Sequence, residues 1–136
     1  MVQAEIFEIL VTLYLLGRKL KKASKQHNND LILNMIILSI LQKQPLTVTE
    51  LAAVIATQTS SISEKLLKLE VDGYVEKIDS TDLRTKKMSV TPVGMEYYRQ
   101  LLIQTEGRAS KYFTHLTSDE KVSLLAILKK ALSKEE

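Results

Sequence analysis

Glycine and proline are scarce in this chain, and that scarcity favours a mainly helical fold. Four glycines and two prolines interrupt 136 residues, so long stretches can keep a helical periodicity without a break. Residues 3–24 carry apolar side chains at three- and four-residue spacings, which predicts an amphipathic helix. Its apolar stripe consists of Ile6, Ile9, Leu10, Leu13, Leu16 and Leu20.

The same predicted helix is apolar on nearly all sides, because four more large side chains fall outside the stripe: Phe7, Val11, Tyr14 and Leu15. Burying a large apolar side chain contributes about 1.5–3 kcal/mol, so this helix needs cover on more than one side. Other helices of the same chain are one source of that cover, and a second copy of the chain is the other. We favour the second copy, since the chain is small.

The composition is that of one globular domain without thiol chemistry. Hydrophobic residues make up 45% and charged residues 26%, as in an ordinary folded domain. The absence of cysteine excludes a disulfide scaffold, a thiol nucleophile and a Cys-ligated zinc site. The net charge of +3 permits a nucleic-acid partner without requiring one. The apolar run at residues 6–17 is too short for a bilayer, which takes about 20 residues, and no segment resembles a signal peptide. We expect a cytoplasmic protein with no membrane partner.

A second helix is predicted from about Asp30 to Gln42. Asp30 is a suitable N-cap, and Pro45 ends the helix because the residue before a proline avoids the helical region. Between the first two helices, residues 18–29 contain five basic residues. They suit the dipole at a helix C-terminus, and a solvated, charged helix end is favoured over a binding patch.

Residues 46–77 begin with two predicted helices joined by a short turn. Thr47 and Glu50 match the capping box S/T-x-x-E and open a short helix that runs to about Ala56. The segment TQTSS that follows offers several N-caps for a new helix, which ends near Gly73 as a left-handed cap residue. The predicted inner faces are Leu51, Ala52 and Ile55 on the first helix and Ile62, Leu66 and Leu69 on the second.

The second of these helices has the composition of a DNA recognition helix. It begins with small hydroxyl residues that can reach base edges in the major groove, and its N-terminal amides can meet phosphates. A polar face alone is common on surface helices, so the short turn and the hydroxyl-rich start carry the argument. The candidate DNA-binding residues on this helix are Thr59, Ser60, Ser61, Ser63, Glu64, Lys65 and Lys68.

A β-hairpin is predicted directly after the recognition helix. Residues 74–79 alternate as a strand does, residues 86–90 can return, and the loop between them holds residues 80–85. A hairpin in this position is a wing, and arginine at its tip suits the negative potential of a narrow minor groove. We expect Asp82 to orient the Arg84 guanidinium in a bidentate pair. The candidate DNA-binding residues of the wing are Asp82, Arg84, Lys86 and Lys87.

Two further helices are predicted after the wing. Thr91 is the N-cap of the first, with Pro92 at its first helical position. Thr117 or Ser118 caps the last helix, whose acidic start and lysine-rich end match the helix dipole. The apolar stripe of that helix is Leu124, Leu125, Leu128 and Leu132.

With these elements the chain resembles the MarR family of bacterial transcriptional regulators over nearly its whole length. The wing is the most specific part, because the family has Asp-Arg-Arg followed, after a strand, by Leu-Thr-x-x-Gly. The matching residues here are Asp82, Arg84, Val90, Thr91 and Gly94. The resemblance implies a homodimer built from the first and last helices, with two winged helices on a pseudo-palindromic operator in double-stranded DNA. It also implies repression or activation, tuned in many members by a small ligand.

We therefore predict a mainly α fold with a small β-hairpin wing, in which a winged helix-turn-helix domain carries N- and C-terminal dimerisation helices. Residues 1–136 are expected to form a single MarR-like domain. Its winged helix-turn-helix core is residues 30–91, and its dimerisation helices are residues 1–25 and 92–136. The predicted function is that of a sequence-specific regulator, a repressor, that acts as a homodimer with a small-molecule effector and without a cofactor.

Two residues depart from the family pattern. Leu83 stands where the family often has a second arginine, and Glu64 stands where the recognition helix often carries a basic residue. From Thr47 to Val90, six basic residues stand against seven acidic ones, a net charge of −1, so we expect DNA binding with a modest salt dependence. The alternative function is a winged-helix protein-interaction module with weak or no specific DNA binding.

Other chemistries receive less support. His115 with Asp119 or Glu120 can contribute to a metal site, although a surface histidine near a helix start is the commoner situation. The chain has no glycine-rich phosphate loop, nucleophile elbow or H-E-x-x-H motif, so we expect no enzymatic activity. Four aromatic residues can line a ligand cleft, but packing in the core or an interface is favoured for them: Tyr14, Tyr97, Tyr98 and Phe113.

Overall fold

The computed structural model describes residues 2–25, 31–82 and 84–133 as six α-helices and one β-hairpin. The predicted N-cap Asp30 and the predicted departure Leu83 lie outside these ranges. The elements are α1 (Val2–Lys25), α2 (Leu31–Lys43), α3 (Val48–Ile55), α4 (Thr59–Val71), β1 (Val75–Asp79), β2 (Lys86–Val90), α5 (Pro92–Ala109), a short 3-10 turn (Ser110–Tyr112) and α6 (Ser118–Leu132). The predicted mainly helical fold with a hairpin wing is confirmed.

One hydrophobic core joins the middle of the chain to α5. It draws on α2, α3, α4, both strands and a single residue of α5, so these elements pack as one unit. The predicted inner faces of α3 and α4 are part of it, with Ile55 only half-buried. The core residues are Ile37, Leu38, Leu41, Leu46, Leu51, Ala52, Ile62, Leu66, Leu69, Val75, Met88 and Leu101.

The hairpin is a regular antiparallel ladder that the segment before α3 extends. Val75 pairs with Val90 at its base, and Asp79 pairs with Lys86 toward its tip. Leu46 adds an isolated bridge to Met88: the Leu46 amide donates to the Met88 carbonyl at 3.4 Å, and the Met88 amide donates to the Leu46 carbonyl at 2.7 Å. This pairing ties the start of the helix-turn-helix to the wing, and the sequence analysis did not foresee it.

Local hydrogen bonds start three of the six α-helices where the sequence predicts. The α3 capping box is formed in both directions between Thr47 and Glu50. Thr117, rather than Ser118, caps α6 in the same way with Glu120. Thr91 caps α5 by accepting from the Gly94 amide. These predictions are confirmed because each depends only on residues three positions apart.

The start of α4 differs from the prediction. Its N-cap is Gln58, whose side chain makes no capping hydrogen bond, so the hydroxyl N-cap expected from the TQTSS segment is wrong. The chain leaves α3 through Ala56 in the left-handed region at φ 62°, and the Thr57 amide donates to the Ala52 carbonyl at 3.0 Å. Only Thr57 and Gln58 separate Ala56 from α4. Thr59, the next hydroxyl residue, therefore already lies inside the helix.

The helices at the two ends of the chain leave large apolar surfaces uncovered. In α1 only Leu16 and Leu20 of the predicted stripe are half-buried. Eight other large side chains of α1 are 38–66% exposed: Ile6, Phe7, Ile9, Leu10, Val11, Leu13, Tyr14 and Leu15. On α6 the exposed set is Val122, Leu125, Ile127, Leu128 and Leu132. Within the described part of the chain, other helices of the same chain therefore do not cover these side chains.

Candidate nucleic-acid interface

The buried face of α4 fixes which of its side chains point outward. Ile62, Leu66 and Leu69 are at most 3% exposed and hold the helix against α3 and β1. On the remaining surface, six of the seven predicted DNA-binding residues are exposed: Thr59, Ser60, Ser61, Ser63, Glu64 and Lys68. Leu67 and Val71 are also exposed there, at 62% and 78%. Neither residue was predicted to face DNA, although both fall outside the apolar stripe of α4.

Lys65 has a different environment from the other predicted residues of α4. It is half-buried and lines a small pocket of about 100 Å³ between α4, α2 and α5. Asn34 of α2, Tyr97 of α5 and Lys68 border the same pocket. Ser60 and Glu64 do not line this pocket, so the predicted set divides into an outward face and a flank that carries both lysines, with Lys68 one turn beyond Glu64 and next to it on the helix surface.

Arg84 is the most exposed of the three predicted cations of the wing. Its side chain is 91% exposed. One oxygen of Asp82, Oδ1, accepts from the Arg84 backbone amide at 3.0 Å and from Nε at 3.5 Å. The expected bidentate pair is therefore wrong, because the tight turn directs the carboxylate to the backbone amide. Ser80 completes the loop by donating to the carbonyl oxygen of Asp82 at 2.8 Å.

The two lysines of the wing face different surroundings. Lys86 donates to the Asp79 carboxylate across the hairpin. This hydrogen bond and then the positive charge of Lys86 hold the pKa of Asp79 below its ordinary value. Lys87 is half-buried and pairs with Ile78, one register position from the Asp79–Lys86 pair. The wing thus exposes the Arg84 side chain to solvent beside Asp82, while each lysine takes part in the hairpin.

The end of α4, the base of the wing and the start of α5 are tied together by backbone contacts, a cluster we call the wing base. The Thr91 hydroxyl donates to the Gly73 carbonyl at 2.6 Å, and the Thr91 amide donates to the Tyr74 carbonyl at 3.1 Å. Gly73 has a φ of 84°, which confirms its predicted left-handed conformation. Tyr74 stacks on Tyr97 of α5 with ring centroids 4.1 Å apart and an interplanar angle of 5°.

The four aromatic residues do not come together in one ligand cleft. Tyr97 stacks on Tyr74, Tyr98 packs against the core, and Tyr14 is exposed on α1. Phe113 lines a separate apolar cleft of about 690 Å³ between α5 and α6. Tyr97 and Tyr98 are therefore packing residues, as the favoured interpretation expects. The apolar lining of the cleft includes four leucines: Leu102, Leu124, Leu125 and Leu128.

The metal hypothesis at His115 finds no supporting cluster. His115 is exposed, and one oxygen of Glu120 accepts from the Thr117 amide in the α6 cap. Across residues 2–25, 31–82 and 84–133, no three side chains of the ligand-forming types come together. In the same residues, no helix has the length and apolarity to cross a membrane.

Helices α3 and α4, their left-handed turn and the hairpin that follows define a winged helix-turn-helix protein. A family model described as "bacterial regulatory protein, arsR family" matches residues 35–77, which run from α2 into β1. Solved structures extend the likeness to the rest of the chain. A MarR-family transcriptional regulator from Silicibacter pomeroyi superposes with a TM-score of 0.74 at 23% identity, covering 90% of this chain and 86% of that one.

Two structures from Escherichia coli show the same fold. Wild-type MarR in its apo form superposes with a TM-score of 0.71 at 21% identity, covering 89% of this chain and 94% of that one. A MarR variant complexed with operator DNA superposes with a TM-score of 0.68 at 20% identity, covering 94% and 96%. The chain has the fold of the MarR regulators, which confirms at the level of structure the resemblance seen in the sequence.

Curated relatives are also described as helix-turn-helix regulators. The HTH-type transcriptional regulator PapX of Escherichia coli is 29% identical over 107 residues, which cover 78% of this chain and 65% of PapX. An uncharacterized HTH-type transcriptional regulator of Bacillus anthracis is 30% identical over 90 residues, which cover 66% of this chain and 60% of the relative. The chain thus spans less than two thirds of the length of these relatives.

Proposed function

We propose that this chain is a sequence-specific DNA-binding transcriptional regulator of the MarR family, a repressor that acts as a homodimer. The observation that carries the proposal is the combination of an outward, hydroxyl-bearing face on α4 with a wing whose Arg84 side chain is 91% exposed. A recognition helix of this kind can enter the major groove while the wing reaches the backbone or the minor groove. A protein with the same fold was solved with operator DNA.

The charge distribution supports binding by placement rather than by net charge. The segment from Thr47 to Val90 has a net charge of −1, so it offers no broad basic surface. Arg84 extends from the wing tip and Lys68 from the flank of α4. Since each phosphate contact releases counterions, a small number of contacts gives DNA affinity that falls only moderately as salt is raised.

The exposed surfaces of α1 and α6 support the homodimer. Each large apolar side chain moved out of water contributes about 1.5–3 kcal/mol, and α1 alone exposes eight of them. The MarR resemblance assigns dimerisation to these first and last helices. A two-fold dimer places its two recognition helices about one helical turn, roughly 34 Å, apart on one face of the DNA, so we propose a pseudo-palindromic operator.

Sedimentation velocity tests the dimer through a matched pair of variants. Phe7 on α1 is 66% exposed and Val54 on α3 is 60% exposed. We expect Phe7→Glu to yield monomers, because it places a charge in the proposed interface. Val54→Glu lies outside that interface and should remain dimeric. A dimeric Phe7→Glu protein would remove α1 from the interface.

A small-molecule effector completes the proposal. The apolar cleft of about 690 Å³ between α5 and α6 has the volume of an ordinary ligand pocket. Phe113 and Leu128 offer apolar contacts there, and Lys121 offers a charge for an anionic group. Screening small aromatic acids for release of the protein from its operator tests this part. Release that survives Phe113→Ala without any change in effector affinity would locate the effector elsewhere.

DNA binding is tested by titrating the purified protein against promoter fragments, including its own upstream region, at two salt concentrations. We expect one discrete fragment to bind at nanomolar protein in excess random DNA. Arg84→Ala should then weaken binding by about 1–3 kcal/mol and leave the dimer intact. Arg99→Ala is the control, because that side chain is 70% exposed on α5 and pairs with Glu96. Equal affinities for wild type and Arg84→Ala would remove the proposed role of the wing arginine.

The second candidate function is a winged-helix protein-interaction module. It is favoured by the exposure of Leu67 and Val71 on the outward face of α4, where a DNA reader often carries polar groups. Weak binding to every fragment that disappears at the higher salt concentration would support this function. A discrete, salt-tolerant complex with one fragment would exclude it.

A further inference from the structure

The outward face of α4 carries one large apolar side chain among the residues proposed to face DNA bases. Leu67 is 62% exposed and lies one turn beyond Ser63 and Glu64, so the three side chains are neighbours on the helix surface. The rotation of α4 about its axis is fixed, because its opposite side is locked into the core by Ile62, Leu66 and Leu69. Leu67 therefore keeps the outward position when α4 approaches a partner.

The chemistry of the major groove restricts what a leucine can read. Among the base edges there, the 5-methyl group of thymine is the apolar feature, and every other edge presents hydrogen-bond donors or acceptors. A leucine placed over a donor or acceptor removes water from it without replacing the hydrogen bond, which is unfavourable. Resting on the proposed function, we propose that Leu67 is a specificity-determining residue that selects a thymine through its methyl group.

Helix geometry locates this thymine relative to the base read by Glu64. A carboxylate can accept a hydrogen bond from the N4 amino group of cytosine. Three residues advance α4 by about 4.5 Å, close to the roughly 3.4 Å rise between base pairs. We therefore expect the thymine to lie within one or two base pairs of the one that Glu64 reads. Val71 is exposed one turn later, but it lies at the C-terminal end of α4, away from the residues that contact bases.

A double-mutant cycle between protein and DNA tests the proposal. Each thymine of the operator half-site is replaced in turn by deoxyuridine, which lacks only the 5-methyl group. We expect the wild-type dimer to lose about fourfold in affinity per methyl at one thymine position. Leu67→Ala should lose affinity on the normal operator and show no further loss with deoxyuridine at that position.

Val54→Ala provides the matched control, because Val54 is also a surface apolar residue, 60% exposed on the neighbouring helix α3. This variant should keep the full deoxyuridine effect. Circular dichroism and sedimentation of each variant establish that folding and dimerisation are unchanged, as expected for truncation of an exposed side chain.

The outcomes separate this inference from the proposed function. Loss of the deoxyuridine effect at one thymine in Leu67→Ala, but not in Val54→Ala, supports the inference. If the effects of Leu67→Ala and deoxyuridine multiply independently at every thymine, the inference is overturned while sequence-specific binding stands. If the wild-type protein discriminates no operator from random DNA, the proposed function fails and this inference fails with it.

Discussion

Gly94 occupies the tightest point of the wing base, and replacing it with alanine tests how closely α5 must approach Tyr74 and Val90. Gly94 is buried in the first turn of α5. A Cβ atom added there would lie 2.9 Å from the Tyr74 carbonyl carbon and 2.9 Å from Cγ1 of Val90, and closer still to the Tyr74 carbonyl oxygen. Because the Tyr74 atoms belong to the backbone, a side-chain rotation cannot relieve the contact.

The expected change in the free energy of unfolding is the balance of a favourable helix preference and two unfavourable contributions. Alanine favours a helix over glycine by about 0.8–1 kcal/mol. Overpacking at a well-filled site costs about 1–3 kcal/mol. A shift of α5 also lengthens the hydrogen bonds of Thr91 to Gly73 and Tyr74, each of which contributes about 1 kcal/mol. The contact outweighs the helix preference, and we expect Gly94→Ala to destabilise the protein by about 2 kcal/mol.

Gly107 supplies the matched control within the same helix. A Cβ atom at Gly107 would meet nothing within 4 Å, so Gly107→Ala adds helix preference without a contact and should stabilise the protein by about 0.5–1 kcal/mol. Urea unfolding followed by circular dichroism measures both variants, at one protein concentration because the stability of the proposed dimer depends on that concentration. A Gly94→Ala protein as stable as wild type would refute the close approach. Equal destabilisation by both variants would show that the loss at Gly94 does not come from the close contact.

Further predictions concern the helix turn, the wing base and the hairpin. Ala56→Gly relieves about 1–2 kcal/mol of left-handed strain against an entropy cost of about 0.5–1 kcal/mol, so it should stabilise the protein slightly in urea unfolding. Ala53 is helical and exposed, and Ala53→Gly should destabilise the protein. A stability change of the same sign at both sites would contradict this prediction. Thr91→Val removes both the α5 cap and the hydrogen bond to Gly73 and should lower the free energy of unfolding by about 1–2 kcal/mol. Thr91→Ser keeps the hydroxyl and should lower it less. Equal losses in the two variants would show that the hydroxyl is not the cause. Because folding lowers the pKa of Asp79, stability from its pair with Lys86 is present above the ordinary value of 3.8 and is lost as pH falls through the folded value. An NMR titration should find the Asp79 pKa moved back toward 3.8 in Lys86→Gln, and an unchanged pKa would exclude Lys86 as its cause.

Features set by short-range hydrogen bonds were predictable from the sequence. The capping boxes of α3 and α6, the Thr91–Pro92 start of α5 and the left-handed Gly73 depend on neighbouring residues with narrow chemical preferences. The two strands of the wing were located for the same reason, since alternation and turn residues are local patterns.

Features set by the rotation of α4 and by long-range contacts were not predictable. Nothing local in the sequence distinguishes Lys65, which is half-buried beside α2 and α5, from Lys68, which is exposed. Leu67 falls outside the predicted stripe of Ile62, Leu66 and Leu69, but the structure is needed to show that no other element covers it and that its side chain is 62% exposed. The stack of Tyr74 on Tyr97 joins residues far apart in the chain, and no spacing rule connects them.

The net charge of the winged helix also needs the structure for its interpretation. Of its seven acidic residues, three form local hydrogen bonds: Glu50 in the α3 cap, Asp79 with Lys86 across the hairpin, and Asp82 at the wing tip. Asp79 and Lys86 cancel each other's charge and leave the sum of −1 unchanged, whereas Glu50 and Asp82 accept from neutral backbone amides and keep their negative charge. Glu64 is different, because it is exposed on the outward face of α4. A carboxylate there repels phosphates and binds favourably only to a hydrogen-bond donor on a base. Glu64 is therefore the acidic residue that weakens non-specific DNA binding and also the one that can increase sequence specificity.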